Sequence, residues 1–119
     1  MDINLLAEMV HKLAWEKGWH DQKEDENFFI ERTCNNLHDE ISELHEAWRN
    51  NSLHSFCDKA ELMRSCGIKP LTYLEEELAD IIIRTLDSCI KLGVDISSAI
   101  ERKHKFNTFR PIRHGGKKS

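Results

Sequence analysis

Two short acidic patterns have the residue types and spacing for metal-assisted chemistry: Asp39-Glu40-Ile41-Ser42-Glu43 and Glu76-Glu77-Leu78-Ala79-Asp80. Each sets two carboxylates three residues apart, Glu40 with Glu43 and Glu77 with Asp80, and on a helix that spacing puts both on one side. At about 100° per residue, Glu40 and Glu43 lie roughly 100° from the centre of the apolar stripe around them, and Glu77 and Asp80 roughly 90–150° from theirs. They are expected to border a buried seam. If the two helices pack antiparallel, the pairs converge into four carboxylates, which repel one another unless a cation neutralises them. Hard oxygen donors favour Mg²⁺, with Mn²⁺ as a substitute, and Mg²⁺ keeps waters and binds phosphates as well. A single pair of this kind is ordinary solvated helix surface in a chain with 21 acids. Two pairs beside apolar stripes on neighbouring long helices point to a site.

The complementary charge lies downstream. The face that begins with Ile96, Ala99 and Ile100 continues in the same direction as Lys103, Asn107 and Arg110. An apolar face that turns polar along its length suits the lining of a pocket. Lys103 and Arg110 can meet phosphate oxygens, and Asn107 can donate to a phosphate or sugar oxygen. Trp15, Trp19, His20 and Trp48 are candidates to stack on a base, since an aromatic face accepts any base.

Helices must position these groups. Apolar spacing predicts one from about Asp2 to Lys17 (Ile3, Leu6, Met9, Val10, Leu13) that stops near Gly18, and a second from roughly Phe28 to Asn50 with Ile30, Cys34, Leu37, Ile41, Leu44 and Trp48 as its stripe. Ser55 to Cys66 can hold a short helix ending before Gly67. A long helix follows Pro70, capped by Thr72 and reaching Leu92, where Gly93 ends it. Leu74, Leu78, Ile81, Ile82 and Thr85 define one face of it, with Ile83, Leu86 and Ile90 on another. A helix apolar nearly all round is expected to be central or to form a subunit interface. The last helix runs from Asp95 to about Thr108, and Pro111 forbids much continuation. The expected architecture is an all-α bundle of four to five helices over residues 1–110, followed by a basic tail, 111–119.

The 119 residues suffice for a single core. A formal net charge of −4 argues against non-specific nucleic-acid binding, although the stretch from Arg102 to Lys118 carries no acid. No apolar run approaches the ~20 residues of a membrane span, and Met1-Asp2-Ile3-Asn4 does not open a secretory signal. Cys34, Cys57, Cys66 and Cys89 have no CxxC spacing and read as free buried thiols of a reducing, cytoplasmic compartment. His54, Cys57 and Cys66 lack a fourth ligand at zinc spacing.

The ordered set Asp39-Glu40-x-x-Glu43, Glu77-x-x-Asp80 and Lys103-x-x-x-Asn107-x-x-Arg110 resembles the MazG-like all-α nucleoside triphosphate pyrophosphohydrolases, relatives of the dimeric dUTPases and dCTP pyrophosphatases. The likeness covers most of the chain from Asn27 onward and includes the ending Arg110-Pro111-Ile112-Arg113-His114-Gly115-Gly116-Lys117. It implies Mg²⁺ on Glu40, Glu43, Glu77 and Asp80, with Lys103, Asn107 and Arg110 on the triphosphate or sugar; Trp48 is a candidate substrate contact on its aromatic face alone, a structural role being the alternative. It also implies a homodimer or homotetramer. The implied reaction is attack of water at the α-phosphorus with release of pyrophosphate, with Glu40 or Glu43 activating the water. The chain departs from the family pattern in carrying Asp39 in place of the first Glu, and in a longer stretch between Glu43 and Glu77, so that residues 51–69 bear on the pocket mouth.

Two rival readings come from the same residues. Glu8-x-x-His11 and Glu101-x-x-His104 imitate a di-iron carboxylate bundle, but their wheel positions, roughly 100–150° from the apolar centres, predict that they face solvent. The non-enzymatic alternative is a helical partner-binding or regulatory domain whose acids are surface.

Overall fold

Helix starts are set by side chains that accept backbone N–H groups left without an intrahelical partner. Asp2 accepts from Asn4 at the start of α1 (Ile3–Glu16), and Asp25 from Phe28 at the start of α2 (Glu26–Arg49). α3 (Ala60–Ser65) has no side-chain cap. Thr72 and Glu75 form a reciprocal capping box before α4 (Tyr73–Lys91), and Asp95 accepts from Ser98 before α5 (Ile96–Thr108). Gly18 and Gly93, at φ 75° and 70°, follow α1 and α4 in the left-handed conformation that glycine adopts without steric cost. This computed structural model describes residues 2–111, and among them the four longer helices are present to within two residues of the expected ends, while the short helix occupies only Ala60–Ser65 of the expected stretch from Ser55 to Cys66. The basic tail beyond Pro111 lies outside the described residues.

α4 is the central element, packed on one side by α1 and on the other by α2, while α5 rests on α1. Asn4 ties the last pair: its Nδ2 donates to Asp95 Oδ1 at 3.0 Å, and its Oδ1 accepts from the Ser97 N–H at 3.1 Å. α2 and α4 run antiparallel, since Glu40 meets Arg84 while the earlier Thr33 meets the later Ser88. The α2–α4 connection is fastened to the start of α4. An antiparallel bridge joins Phe56 and Thr72, with Cys57 N–H on Leu71 O at 2.9 Å and Tyr73 N–H on Ser55 O at 3.0 Å.

The helical faces differ from those expected. On α2 the inward positions are Phe29, Thr33, Asn36, Leu37, Glu40, Leu44 and Ala47, whereas Ile30, Cys34, Ile41 and Trp48 of the expected stripe are exposed. On α4 the buried residues include Glu76, Glu77, Leu86, Ser88 and Cys89, while Leu78, Ile82 and Ile83 are 46%, 53% and 42% exposed. Part of the expected apolar surface of α4 therefore points outward in the single chain, with Leu74 and Ile81 half-buried, while Glu76 and Glu77 point in. Phe29 and Leu86 are the large side chains that are fully buried. The radius of gyration, 17.0 Å, exceeds the roughly 13.5 Å of a compact chain this long. Cys57 and Cys89 are buried thiols as expected, but Cys34 and Cys66 are exposed. No helix among the described residues is long and apolar enough to cross a membrane.

Candidate metal centre

The antiparallel α2–α4 seam brings Glu40, Glu43 and Glu77 together. One carboxylate oxygen from each lies within 4.8 Å of the others, with Glu40 and Glu77 buried and Glu43 at the solvent edge. The acids expected to border the seam occupy it. Glu40 Oε2 and Glu77 Oε2 are buried with no hydrogen-bond partner among the described residues. A buried carboxylate oxygen without a donor is costly, and octahedral Mg²⁺, whose ligands sit at 2.0–2.1 Å, spaces cis oxygens by about 3 Å. The three acids could hold such an ion if their side chains drew together around it.

Burial and crowding by like charge both raise the Glu77 carboxyl. Burial, then hydrogen bonds with Glu40 and Glu43 and their charges, push its carboxyl up to about 8. Glu77 thus keeps its proton at neutral pH. A cation in the cluster would take that proton's place.

Asp80 stands apart from this trio. It sits one turn along α4 and lines a cleft between α1 and α4 with Trp19, Ile83, Arg84 and Asp87, a cavity of about 410 Å³. Burial, then the charges of Glu40 and Glu76, hold its carboxyl above the usual range. The expected four-carboxylate set is therefore three acids with oxygens within 4.8 Å of one another and a fourth at the α1–α4 cleft. Arg84, absent from the expected set, donates from Nε to Glu40 Oε1 at 2.9 Å. Its signal was present in the spacing: Glu77, Asp80, Arg84 and Asp87 follow one another at intervals of three, four and three, a polar stripe down one side of α4.

That stripe ends in a second cluster. Asp87 Oδ1 receives His11 Nδ1 at 2.7 Å, and His20 Nε2 lies 2.9 and 2.8 Å from the two Asp87 oxygens. Trp15 Nε1 donates to His11 Nε2 at 3.0 Å, so the His11 proton is on Nδ1 and points at Asp87. The same residue types can hold zinc, but the Trp15 N–H removes the tautomer that would free His11 Nδ1 for a metal. His11 thus faces inward rather than to solvent, while Glu8, Glu101 and His104 are exposed. His20, packed among His11, Trp15 and Phe29, braces Asp87 and is too enclosed to meet a base. Trp19, 61% exposed at the α1–α4 cleft, is the aromatic placed beside the acids.

The remaining expected contacts are not gathered here. Trp48 is 60% exposed, stacks on His45 and borders a hollow with Asn51, Leu53, His54 and Ser55. Lys103 and Asn107 line a shallow cavity made by α5 alone, with Ile96, Ala99, Ile100 and His104. Arg110 follows α5, its N–H bonded to Asn107 O. Because α5 packs on α1 and not on the α2–α4 seam, a single chain does not bring these groups to the acids.

On the far side of the acids, a cavity of about 310 Å³ opens between α2, α4 and their connection. Lys59 at its wall bonds Glu76 Oε1 at 2.6 Å. Burial raises the Glu76 carboxyl, but hydrogen bonds from the Cys57 thiol and the Lys59 ammonium more than offset this and hold it below its usual value. Comparison with family models, curated proteins and solved structures finds no match.

Proposed function

We propose that the chain is a Mg²⁺-dependent nucleoside triphosphate pyrophosphohydrolase of the MazG-like all-α type, cleaving an NTP or dNTP to the monophosphate and pyrophosphate. The observation that carries the reading is the convergence of Glu40, Glu43 and Glu77 from two helices, two of them buried with an oxygen left unpaired. A partner-binding surface has no need of it, because burying unpaired carboxylates costs stability.

Glu40, Glu43 and Glu77 would hold the ion, with Asp80 reaching it from the cleft; when bound, Mg²⁺ polarises the phosphoryl oxygens and offsets charge on the leaving group. A water oxygen forms the new bond to the α-phosphorus as the bond to the bridging oxygen breaks, and pyrophosphate leaves with that electron pair. Glu43 is the better placed to take the water's proton, because it faces solvent while Glu40 Oε1 is committed to Arg84. The α1–α4 cleft, apolar on Val10, Leu13 and Ile83 and flanked by Trp19, suits the base. Lys103, Asn107 and Arg110 would then come from a second copy in a homodimer or homotetramer, which would also cover the exposed apolar residues of α4.

The test is pyrophosphate release from a panel of ribo- and deoxynucleoside triphosphates, with and without Mg²⁺. Turnover that requires the ion and falls by on the order of a hundredfold or more in Glu40→Gln and Glu77→Gln, with helicity retained, is the expected result. No release from any nucleotide would sink it. The exposed Leu78, Ile82 and Ile83 favour a second reading, a helical partner-binding or regulatory domain. Under that reading Glu40→Gln and Glu77→Gln are neutral or stabilising and Mg²⁺ leaves the melting temperature unchanged.

A further inference from the structure

Two cavities adjoin the candidate acids, one at Asp80 and the other at Glu43 and Glu77, and they differ in chemistry. The α1–α4 cleft is mainly apolar. The cavity between α2, α4 and their connection is polar, bounded by Asn50, Ser52, Lys59 and Tyr73, with Glu43 and Glu77 forming its inner wall. Glu46, Asp58 and Glu76 add carboxylates around it, and Lys59 is its one cation among the described residues. A pocket so acidic repels a phosphate chain unless the metal and a positive side chain act together.

We infer that this second cavity holds the pyrophosphoryl end of the substrate, with Lys59 as its phosphate-binding cation. The identity of the ligand rests on the proposed reaction; the anion pocket itself does not. Three features support Lys59 in this role. The connection is pinned to α4 by the Phe56–Thr72 bridge and its flanking hydrogen bonds, which fixes the Lys59 backbone beside the acids. The Lys59 side chain is 61% exposed, so its four-carbon stem can turn its ammonium from Glu76 to a ligand. Lys59 is also the one cation at the cavity wall among the described residues, and the ammonium already stands within 2.6 Å of a carboxylate oxygen there, in reach of an oxyanion that enters beside it.

The placement gives the substrate a direction. Its base lies toward Trp19 and Asp80, its α-phosphate at the Glu40–Glu43–Glu77 cluster, and its leaving group toward Asn50, Ser52 and Lys59. It also gives a role to the long stretch between the two acidic motifs, because that stretch delivers Lys59. A purely structural Lys59, present only to neutralise Glu76, predicts different behaviour in binding.

Titration calorimetry of the full chain with inorganic pyrophosphate in the presence of Mg²⁺ separates the two. Loss of one charge-assisted hydrogen bond in Lys59→Met is expected to weaken pyrophosphate binding by about tenfold to a hundredfold. Lys59→Arg should restore most of it, and Glu76→Gln, which releases Lys59, should bind as tightly as the natural chain or tighter. In turnover, Lys59→Met should raise KM more than it lowers kcat. The double variant Lys59→Met with Glu76→Gln strands no carboxylate, and weak binding there, with helicity intact, identifies the missing ammonium as the cause. Unchanged pyrophosphate affinity in Lys59→Met overturns the inference, as does an equal loss in Glu76→Gln. If no nucleotide is hydrolysed while pyrophosphate binding still depends on Lys59, the proposed reaction fails and the anion pocket stands. If turnover is intact with unchanged KM in Lys59→Met, the pocket assignment fails and the reaction stands.

Discussion

The proton on Glu77 links the candidate centre to stability. Its carboxyl is raised from 4.5 to about 8 by burial and by Glu40 and Glu43. In the unfolded chain this group ionises near pH 4.5, whereas in the folded chain it keeps its proton until about pH 8, so stability present at low pH is lost as pH climbs through that window. Asp80, also raised, acts in the same direction. Glu24, Glu75, Glu76 and Asp95 are lowered, so their contributions are lost only at more acid pH. Without divalent cation the melting temperature is therefore expected to fall between about pH 5 and 8, and to fall less in Glu77→Gln, which carries no ionisable proton. Added Mg²⁺ must displace the proton, so its stabilising shift should grow over the same range. Calorimetric scans at pH 5, 6.5 and 8 check this, and parallel slopes for the two chains would contradict it.

At the scale of helices, the α1–α4 contact carries the Asp87 network and, on the proposed function, the cleft for the base. Asp87→Asn removes the carboxylate that receives both His11 and His20, and hydrogen bonds to a charged group contribute about 1.5–3 kcal/mol each way of counting. A loss of that order in denaturant unfolding is expected, with weaker substrate binding as the cleft loosens. Trp19→Ala touches no such network and should raise KM several-fold at unchanged stability. Helix existence and order were legible in the sequence because capping groups and glycines act locally: Thr72, Gly18 and Gly93 each fall where their chemistry requires, while the Asp25 cap of α2 was not identified because the apolar spacing begins only at Phe28. The rotation of α2 and α4 was not. Apolar spacing assigned Ile30, Ile41 and Trp48 inward, but the side of a helix that is buried is set by the helix packed against it, and α4 covers the side of α2 that carries Phe29, Glu40 and Ala47. Glu40 and Glu77 were identifiable as a pair of motifs, yet their depth was not, since burial of an acid is set by the partner helix. Arg84 was overlooked because ion pairing is a long-range property, although its spacing from Glu77 and Asp80 placed it on their face. Lys59 had no local signal, since only the bridge that fastens residues 55–73 carries it to the acids.

At the scale of the whole molecule, the open shape and the outward Leu78, Ile82 and Ile83 pose one question with the stranded Lys103 face. Apolar area of this kind is worth about 25 cal/mol per Å² once covered, and two-fold pairing is the commonest way to cover it. Ile82→Glu places a charge in the middle of that face; sedimentation should show a shift to monomer, with turnover lost although Glu40, Glu43 and Glu77 are intact. Complementation then asks whether a neighbouring copy completes the site. Glu77→Gln and Lys103→Ala are each expected to be nearly inactive as pure chains. In a two-fold dimer refolded from an equal mixture, half the molecules carry one of each chain, and each of those has one site with both natural residues if Lys103 crosses the interface. Activity should then recover to about a quarter of the natural dimer. If Lys103 served its own chain, every site in the mixture would still lack one residue, and the mixture would stay as inactive as its components.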